Sequence, residues 1–306
     1  MSKAEYRYYE LAQDFPLLVL TGEKWETIYG MDNIHFHNYL EVGYCYYGNG
    51  IMQFAGKELP YHAGTLTFIP KNIPHRTCPV PEEYTKEQKW EYFFIDVDLI
   101  LKRIFAEAPE KYMKMKKNLS QDVFVLDDSE NTAPMHLLQM IKEEVQEKKS
   151  HYIYATFSLA FNFLLFFDRL KHTDSPEPIS RSNTMNYVRE VINYMELHYM
   201  EDVKSKDLAR SCGLSETHMR RIFSESVNMS PAEYLNVVRI NKACEMLAHE
   251  NDSIEKIAHS VGYPVLSTFL RNFKKVTELS PSEFRKKAMK NPQNITNYQI
   301  SVLKGW

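Results

Sequence analysis

Two copies of one helix-turn-helix pattern lie in tandem in the last third of the chain, from Lys206 to Pro231 and from Glu255 to Pro281. Each copy has an alanine that lets two helices cross closely. Four residues later comes a glycine that can take the positive φ of a tight turn. Each copy ends in Ser-Pro at the same distance from a phenylalanine. This repeat predicts a fold that places two reading helices in successive major grooves of DNA.

The helix after each turn is amphipathic, so its residues divide into an inward and an outward set. Arginine suits the O6 and N7 edge of guanine, threonine can touch the methyl group of thymine, and serine is a good N-cap. The two late lysines are expected to meet phosphates. The predicted inward residues are Met219, Ile222, Phe223, Phe269, Leu270 and Phe273. The predicted DNA-contacting residues are Ser215, Thr217, Arg220, Arg221, Ser267, Thr268, Arg271, Lys274 and Lys275.

The segment between the two copies, from Pro231 to Glu250, has the apolar spacing of one uninterrupted helix. Such a rod would fix the separation of the reading helices, and about 34 Å would match one turn of DNA. An all-helical protein-interaction domain is the alternative, which the doubled pattern disfavours. We therefore predict an all-α tandem helix-turn-helix domain that binds double-stranded promoter DNA.

The region from Val203 to Arg285 resembles the AraC/XylS family of bacterial transcription regulators. The resemblance rests on the AxxxG pattern in both copies, the helix YLNVVRINKACEML, and the segments IAHSVGYPVLSTFLRNFKK and SPSEFR. The last two segments are the most specific part of the family signature. The resemblance implies base contacts by Thr217, Arg220 and Arg221 in the first copy and by Ser267, Thr268 and Arg271 in the second.

Three residues depart from the pattern of that family. Asn228 and Glu278 stand where a glycine is usual two residues before Ser-Pro, and Val265 stands where an acidic residue is usual. Asparagine tolerates left-handed backbone, whereas glutamate does so poorly. The start of the second reading helix is also less well capped. We expect local differences in the second motif and no change of fold.

The first 130 or so residues are β-rich, with short apolar runs separated by Gly, Pro and Asn turns. Within them, His35, His37 and Glu41 form HxHxxxE, and the period of a strand would place all three on one face. His75 follows in the pattern GxxxxxPxxxxH. These two patterns resemble the cupin motifs, which implies a cupin-like β-barrel. Asn72 replaces the usual glycine of the second cupin motif.

Three imidazoles and a carboxylate could hold a metal ion, line a polar ligand pocket, or bond to one another. We assign no metal and no cofactor, and His35, His37, Glu41 and His75 remain the candidate ligands if a metal is present. Aromatic faces stack on sugars, although aromatic residues in strands are more often core. The predicted effector-binding residues are Trp25, His35, His37, Glu41, His75 and Trp90.

The periodicity turns helical from Pro134 to His172, and the second helix there is apolar over most of its circumference. A partner subunit would cover such a helix; a central core helix is the alternative. We predict a cupin-like barrel over residues 1–130, a dimerisation segment over 131–172, a linker over 173–183, and the DNA-binding domain over 184–290. Residues 291–306 form a tail of unassigned role.

The composition narrows the class of protein. The net charge of −3 argues against a protein that binds polyanions non-specifically. If the chain binds DNA, its cations must be concentrated locally, on the two reading helices. The four cysteines are widely spaced with no CxxC, which is typical of reduced thiols in the cytosol. No apolar run reaches the roughly 18 residues of a membrane span, and the N-terminus lacks a signal peptide. We expect a cytoplasmic protein with no membrane partner.

These patterns predict a dimeric, ligand-responsive transcription regulator, with a sugar as the expected effector and RNA polymerase as a partner if it is an activator. We predict no enzymatic activity. One alternative is a metal-dependent cupin enzyme fused to a DNA-binding domain. Another is a constitutive DNA binder with a purely structural barrel.

Overall fold

The computed structural model describes residues 5–9, 11, 14–20, 26–27, 34–54, 57–79, 88–120, 122–129, 132–170, 183–227, 229–290 and 301–304. The strands in chain order are β1 (Glu5–Tyr8), β2 (Leu17–Leu20), β3 (Glu26–Thr27), β4 (His35–His37), β5 (Leu40–Tyr47), β6 (Gly50–Phe54), β7 (Lys57–Tyr61), β8 (Thr65–Ile69), β9 (His75–Pro79), β10 (Gln88–Ile95), β11 (Phe124–Asp127) and β12 (Ser301–Lys304). The helices are α1 (Val97–Ile104), α2 (Pro109–Leu119), α3 (Thr132–Glu147), α4 (Tyr152–Leu170), α5 (Asn183–His198), α6 (Ser205–Ser211), α7 (Glu216–Val227), α8 (Pro231–His249), α9 (Ile254–Ser260), α10 (Leu266–Thr277) and α11 (Pro281–Lys290).

Contacts divide the chain into two compact units. A β-rich unit comprises Asp14–Asp32 and Tyr39–Ser180, and a helical unit comprises Met1–Gln13, Asn33–Asn38 and Arg181–Trp306. The division after Ser180 falls inside the predicted linker, most of which lies outside the described residues. Two short N-terminal segments thus group with the helical unit, whereas the sequence analysis placed them in the barrel.

The β-rich unit is built from two open sheets. One has the strand order β11–β8–β5–β10–β2, with β3 also on β10, and the other contains β9–β6–β7. Core residues from both sheets share one cluster, among them Met52 of β6, Ile69 of β8 and Trp90 of β10. The two sheets form a cupin-like sandwich, which agrees with the predicted cupin-like fold, and they are not closed into a barrel. Along β6, buried residues alternate with partly buried ones, and along β7, partly buried residues alternate with exposed ones, which is the pattern of strands with one face toward the core.

The centre of the larger sheet requires a glycine. Gly43 on β5 pairs with Tyr92 of β10 on one side and with Thr67 of β8 on the other. A β-carbon at Gly43 would lie 2.7 Å from Thr67 Oγ1 and 3.3 Å from the ring of Trp90. The missing side chain therefore leaves room for the Trp90 ring and the Thr67 hydroxyl beside the strand.

Helices α1 and α2 lie within the first 130 residues, which the sequence predicted to be β-rich, and neither helix was predicted. Asp96 caps α1 by accepting a hydrogen bond from Leu99 N at 2.8 Å. The sequence signal was present, since Asp96 precedes the pattern VDLILKRI, whose apolar residues recur at helical spacing. The continuous apolar run of β10 concealed it.

Helices α3 and α4 fall where the sequence predicted them and pack together. Phe167 of α4 stacks on Phe68 of β8, with ring centroids 4.2 Å apart. The outward face of α4 is mixed: it carries the polar Ser158, Asn162 and Arg169 and also the exposed Ile153 and Tyr154. By length and composition, α4 is the one described helix that could cross a membrane. Its aromatic packing is that of a helix docked on a sheet.

The helical unit has a single core formed by α5 to α11. Its long helix α8 is uninterrupted, as predicted, and begins at Ser230, which forms a reciprocal capping box with Glu233. Phe36 of β4 is fully buried in this core, with its ring 5.7 Å from that of Tyr234. Strand β1 pairs with β4 in parallel and with β12 of the C-terminal tail in antiparallel orientation.

Candidate DNA-binding helices and ligand-binding residues

The first helix-turn-helix motif consists of α6 and α7. Ala209 is buried where the two helices cross, and Leu214 N donates to Ala209 O at 3.0 Å to close the turn. Gly213 has a φ of 69°, and a β-carbon there would meet no atom within 4 Å. The positive φ alone therefore requires the glycine.

The second motif consists of α9 and α10 and has the same turn. Ala258 is buried, and Tyr263 N donates to Ala258 O at 3.0 Å. Gly262 has a φ of 90°, and a β-carbon there would lie 2.6 Å from Tyr199 O. Both the backbone conformation and the close approach of the backbone that follows α5 exclude a side chain. The tandem repeat read from the sequence is thus present as two structural repeats.

The outward face of α7 carries the residues predicted to contact DNA. Thr217, Arg220 and Arg221 are exposed, whereas Phe223 is fully buried. Arg220 donates to Ser205 Oγ of α6, with Nη2 at 2.6 Å, and Arg221 Nη1 donates to both carboxylate oxygens of Glu225 at 3.1 Å. Ser215 Oγ accepts from the backbone of His218 at 3.4 Å.

The second reading helix, α10, presents a different face. Ser267, Arg271, Lys274 and Lys275 are exposed, and Thr268 is half-buried. Leu270 is also exposed, at 39%. Its predicted inward position is therefore wrong.

The reason for that exposure is geometric. The core face of α10 is centred on Phe269, Phe273 and Val276, which are buried. Leu270 falls with Ser267 and Lys274 on the opposite stripe, at spacings of three and four residues.

The ends of α10 depart from the usual pattern as its sequence suggested. Val265 is the N-cap and offers no side-chain hydrogen bond. Glu278 ends the helix in the left-handed conformation, with φ 59° and ψ −1°. The glutamate therefore occupies a backbone conformation that glycine adopts without strain. Asn228, the equivalent residue of the first copy, lies outside the described residues.

In the β-rich unit, Glu41 and His75 meet. His75 Nε2 lies 3.4 Å from Glu41 Oε1, and both side chains are almost completely buried. His75 Nδ1 lies 2.8 Å from Ile73 O, and because a carbonyl oxygen can only accept, this nitrogen carries a proton. The backbone thus fixes the ring and directs Nε2 toward the carboxylate. The two side chains of such a buried pair can bond to each other, or together they can bind a hydroxyl group or a cation.

The other two residues of the HxHxxxE pattern lie on a separate strand. His35 and His37 belong to β4, and their rings are 6.2 Å apart. The chain bends at Asn38, whose side-chain amide bonds both the N–H and the carbonyl of Tyr9 at 2.9 Å. This side chain takes the place of a strand partner, so the ladder stops. The three residues therefore do not lie on the one continuous strand that their spacing had predicted.

Two tryptophans, Trp25 and Trp90, were predicted to stack on the effector. Trp25 lies outside the described residues. Trp90 is 1% exposed in the sandwich core, where it stacks on Tyr92 at 5.9 Å and meets the edge of Tyr61 at 5.0 Å. Its location is that of a core aromatic residue, and its role as a ligand platform stays a prediction.

A buried charge that the sequence analysis missed links α3 to the sheet. Glu91 of β10 is 4% exposed and accepts from Lys142 Nζ and from the Tyr46 hydroxyl, each at 2.6 Å. The signal was a single carboxylate inside the apolar run KWEYFFI, but its partner lies far away in sequence. No local pattern could identify Lys142.

Sequence comparisons match both units to known families. Residues 22–164 match the AraC-like ligand binding domain, and residues 208–287 match a helix-turn-helix domain. The chain is 30% identical over 238 residues to the lactose operon transcription activator of Staphylococcus xylosus, which covers 78% of this chain and 80% of that protein. It is 21% identical to the uncharacterised HTH-type transcriptional regulator YdeC of Bacillus subtilis, over 85% of this chain and 88% of the relative.

Among solved structures, an apo ToxT variant from Vibrio cholerae aligns over 92% of this chain and 95% of its own, with 14% identity and a TM-score of 0.42. The family identification rests on the sequence matches to the two domains and on the similarity to the lactose operon activator along most of both chains. This chain belongs to the AraC family of DNA-binding transcription regulators and carries the ligand-binding domain of that family.

Proposed function

We propose that this protein is a homodimeric, sugar-responsive transcription regulator that reads promoter DNA with α7 and α10 in the cytoplasm. RNA polymerase is a proposed partner if the protein is an activator. The observation that carries the DNA-reading part is the pair of repeat-related helices α7 and α10 with their outward arginines. They belong to two motifs that the single helix α8 connects. Base-edge hydrogen bonds from such arginines would supply the sequence specificity.

Base reading is tested by comparing a selected site with random DNA. Arg271→Ala should lose about 1–3 kcal/mol of binding free energy on a site selected from random sequences and much less on random DNA. Lys149→Ala is the control, because this exposed cation lies in the β-rich unit. Equal losses on both DNAs would show that Arg271 contacts only phosphate.

The proposed effector site is centred on Glu41 and His75. A sugar suits this pair because its hydroxyl groups can donate to the Glu41 carboxylate and to the unprotonated Nε2 of His75. The name of the Staphylococcus xylosus relative, a lactose operon activator, supports a sugar as the ligand class. His35, His37, Trp25 and Trp90 remain proposed members of the same site.

The effector test uses lactose and a panel of other mono- and disaccharides. Glu41→Gln and His37→Ala should abolish the effect of the active sugar on operator affinity while leaving the affinity of the unliganded protein nearly unchanged. A sugar that binds the folded protein should also raise its melting temperature. If both variants keep the full response, these residues are framework and the ligand binds elsewhere.

The homodimer is proposed to form through α3 and α4. Their surface exposes Met140 at 49%, Ile153 at 38% and Tyr154 at 70%. Met140→Glu should give a monomer in sedimentation experiments at micromolar concentration. Met113→Glu is the matched control, since Met113 is an equally exposed methionine on α2, at 53%. A monomeric wild-type protein would refute this assignment.

One observation favours the alternative of a metal-binding cupin enzyme. The hydrogen bond from His75 Nδ1 to Ile73 O is of the kind that orients metal-binding histidines, with Nε2 as the ligand atom. Elemental analysis of the purified protein decides between the two. Stoichiometric metal that His37→Ala removes would favour the metal site over the sugar site.

A further inference from the structure

The two reading helices can be compared position by position. Phe223 of α7 and Phe273 of α10 hold the same place before Ser-Pro, so residues of the two helices correspond at an offset of 50. Both helices expose one stripe with spacings of three and four residues. The stripe consists of Thr217, Arg220, Arg221 and Ser224 in α7 and of Ser267, Leu270, Arg271 and Lys274 in α10.

The first difference is a leucine in place of an arginine. Arg220 of α7 corresponds to Leu270 of α10, which is 39% exposed. A single exposed leucine is common on protein surfaces. This one, however, lies in the middle of a stripe whose other members are polar or basic. In the described parts of the two motifs, the exposed large apolar side chains are Leu270 and Val265, both at the second reading helix.

The second difference is the freedom of the adjacent arginine. Arg221 of α7 is held by Glu225, one turn later on the same helix. In α10 the residue equivalent to Glu225 is Lys275, and no carboxylate lies three or four residues from Arg271 on either side. Among the described residues, Arg271 has no hydrogen-bond or ion-pair partner. Its guanidinium group can therefore approach a base without first breaking an internal ion pair.

We infer that Leu270 is a specificity-determining residue that contacts the C5-methyl group of a thymine beside the base pair read by Arg271. The thymine methyl group is the apolar group that the major groove offers, so it is the natural partner of an exposed leucine on a reading helix. Leucine and arginine are consecutive on one stripe and would meet adjacent base pairs. The inference rests on the proposed base reading by α10. It predicts a thymine in the part of the DNA site that α10 contacts. The part that α7 contacts requires no such thymine, because Arg220 takes the place of Leu270 there.

The test replaces single thymines by uracil, which lacks only the methyl group. A site is first selected from random-sequence DNA with the full-length protein, and each thymine is then exchanged in turn. Dissociation constants are measured by fluorescence anisotropy at one fixed salt concentration. One uracil exchange should weaken wild-type binding about fourfold, the value expected for one buried methyl group. Leu270→Ala should bind the thymine site about as weakly and show no further loss at that uracil.

Two further variants test whether the response to uracil depends on Leu270 in particular. Leu197→Ala removes another exposed leucine of the helical unit, which is 64% exposed on α5, and should keep the wild-type response to uracil. Leu270→Arg gives α10 the residue that α7 has at this place. Repeated selection with that variant should replace the thymine preference by guanine.

The outcomes separate the inference from the function on which it rests. If a site is selected but no thymine responds to uracil, or if Leu270→Ala responds as the wild type does, the thymine contact is refuted and base reading stands. If selection enriches no sequence at all, the proposed base reading fails and the inference fails with it.

Discussion

The left-handed residue at the end of α10 gives a stability prediction with a definite sign. Glu278 has a φ of 59°, and its N–H donates to Lys274 O at 2.9 Å to close the helix. A side chain in this conformation costs about 1–2 kcal/mol. Glycine removes that strain but costs about 0.5–1 kcal/mol through the greater conformational freedom of the unfolded chain. Glu278→Gly should therefore raise the free energy of unfolding by about 0.5–1 kcal/mol.

The assay is thermal and urea unfolding followed by circular dichroism at a helix-sensitive wavelength. The expected gain corresponds to an increase in melting temperature of about 2–8 °C for a domain of this size. The urea midpoint should rise while the slope stays unchanged, since the surface exposed on unfolding is the same.

Two controls separate backbone strain from other effects of this substitution. Glu278→Gln keeps the strained β-carbon and removes the charge, so its stability should stay within about 0.5 kcal/mol of wild type. Lys286→Gly places glycine in the exposed interior of α11 and should cost about 1 kcal/mol. If Glu278→Gly is no more stable than wild type, the strain argument is wrong. If the Gln variant gains as much as the Gly variant, the charge is the cause.

Two other predictions concern charged pairs of the β-rich unit. Lys142→Met should lower the free energy of unfolding by about 2–4 kcal/mol, because it leaves Glu91 buried without its ammonium partner. Combining Lys142→Met with Glu91→Gln should recover part of this loss. If the two changes in unfolding free energy simply add in the double variant, the coupling between Lys142 and Glu91 is refuted. Burial pushes the pKa of Asp98 up, but the ammonium groups of Lys71 and Lys116 outweigh burial and hold that pKa well below its usual range. The ionised Asp98 therefore stabilises the folded protein fully above about pH 4, and this stabilisation is lost as the pH falls further. Urea midpoints measured down to about pH 3 should decline more steeply in the wild type than in Asp98→Asn.

The tandem motif was predictable because its determinants are local. All of them lie within one stretch of chain: a turn glycine, a buried alanine four residues earlier and an apolar period of 3.6 residues. The structure has the expected positive φ at both turn glycines, Gly213 and Gly262. The strained end of α10 was also visible, since Glu278 replaces a residue whose conformational requirement does not depend on distant contacts. Strands β5, β6, β8 and β10 of the sandwich followed from their apolar runs and turns for the same reason.

Only the tertiary structure decided which side chains meet across long separations. The period of a strand placed His35, His37 and Glu41 on one face, but the amide of Asn38 bonds Tyr9 and ends the strand, a contact that no local pattern contains. The partner of Glu91 likewise comes from a helix 51 residues away. A polar group removed from water must find a partner wherever the fold brings one, so its identity depends on the packing of the whole unit and not on its neighbours in sequence.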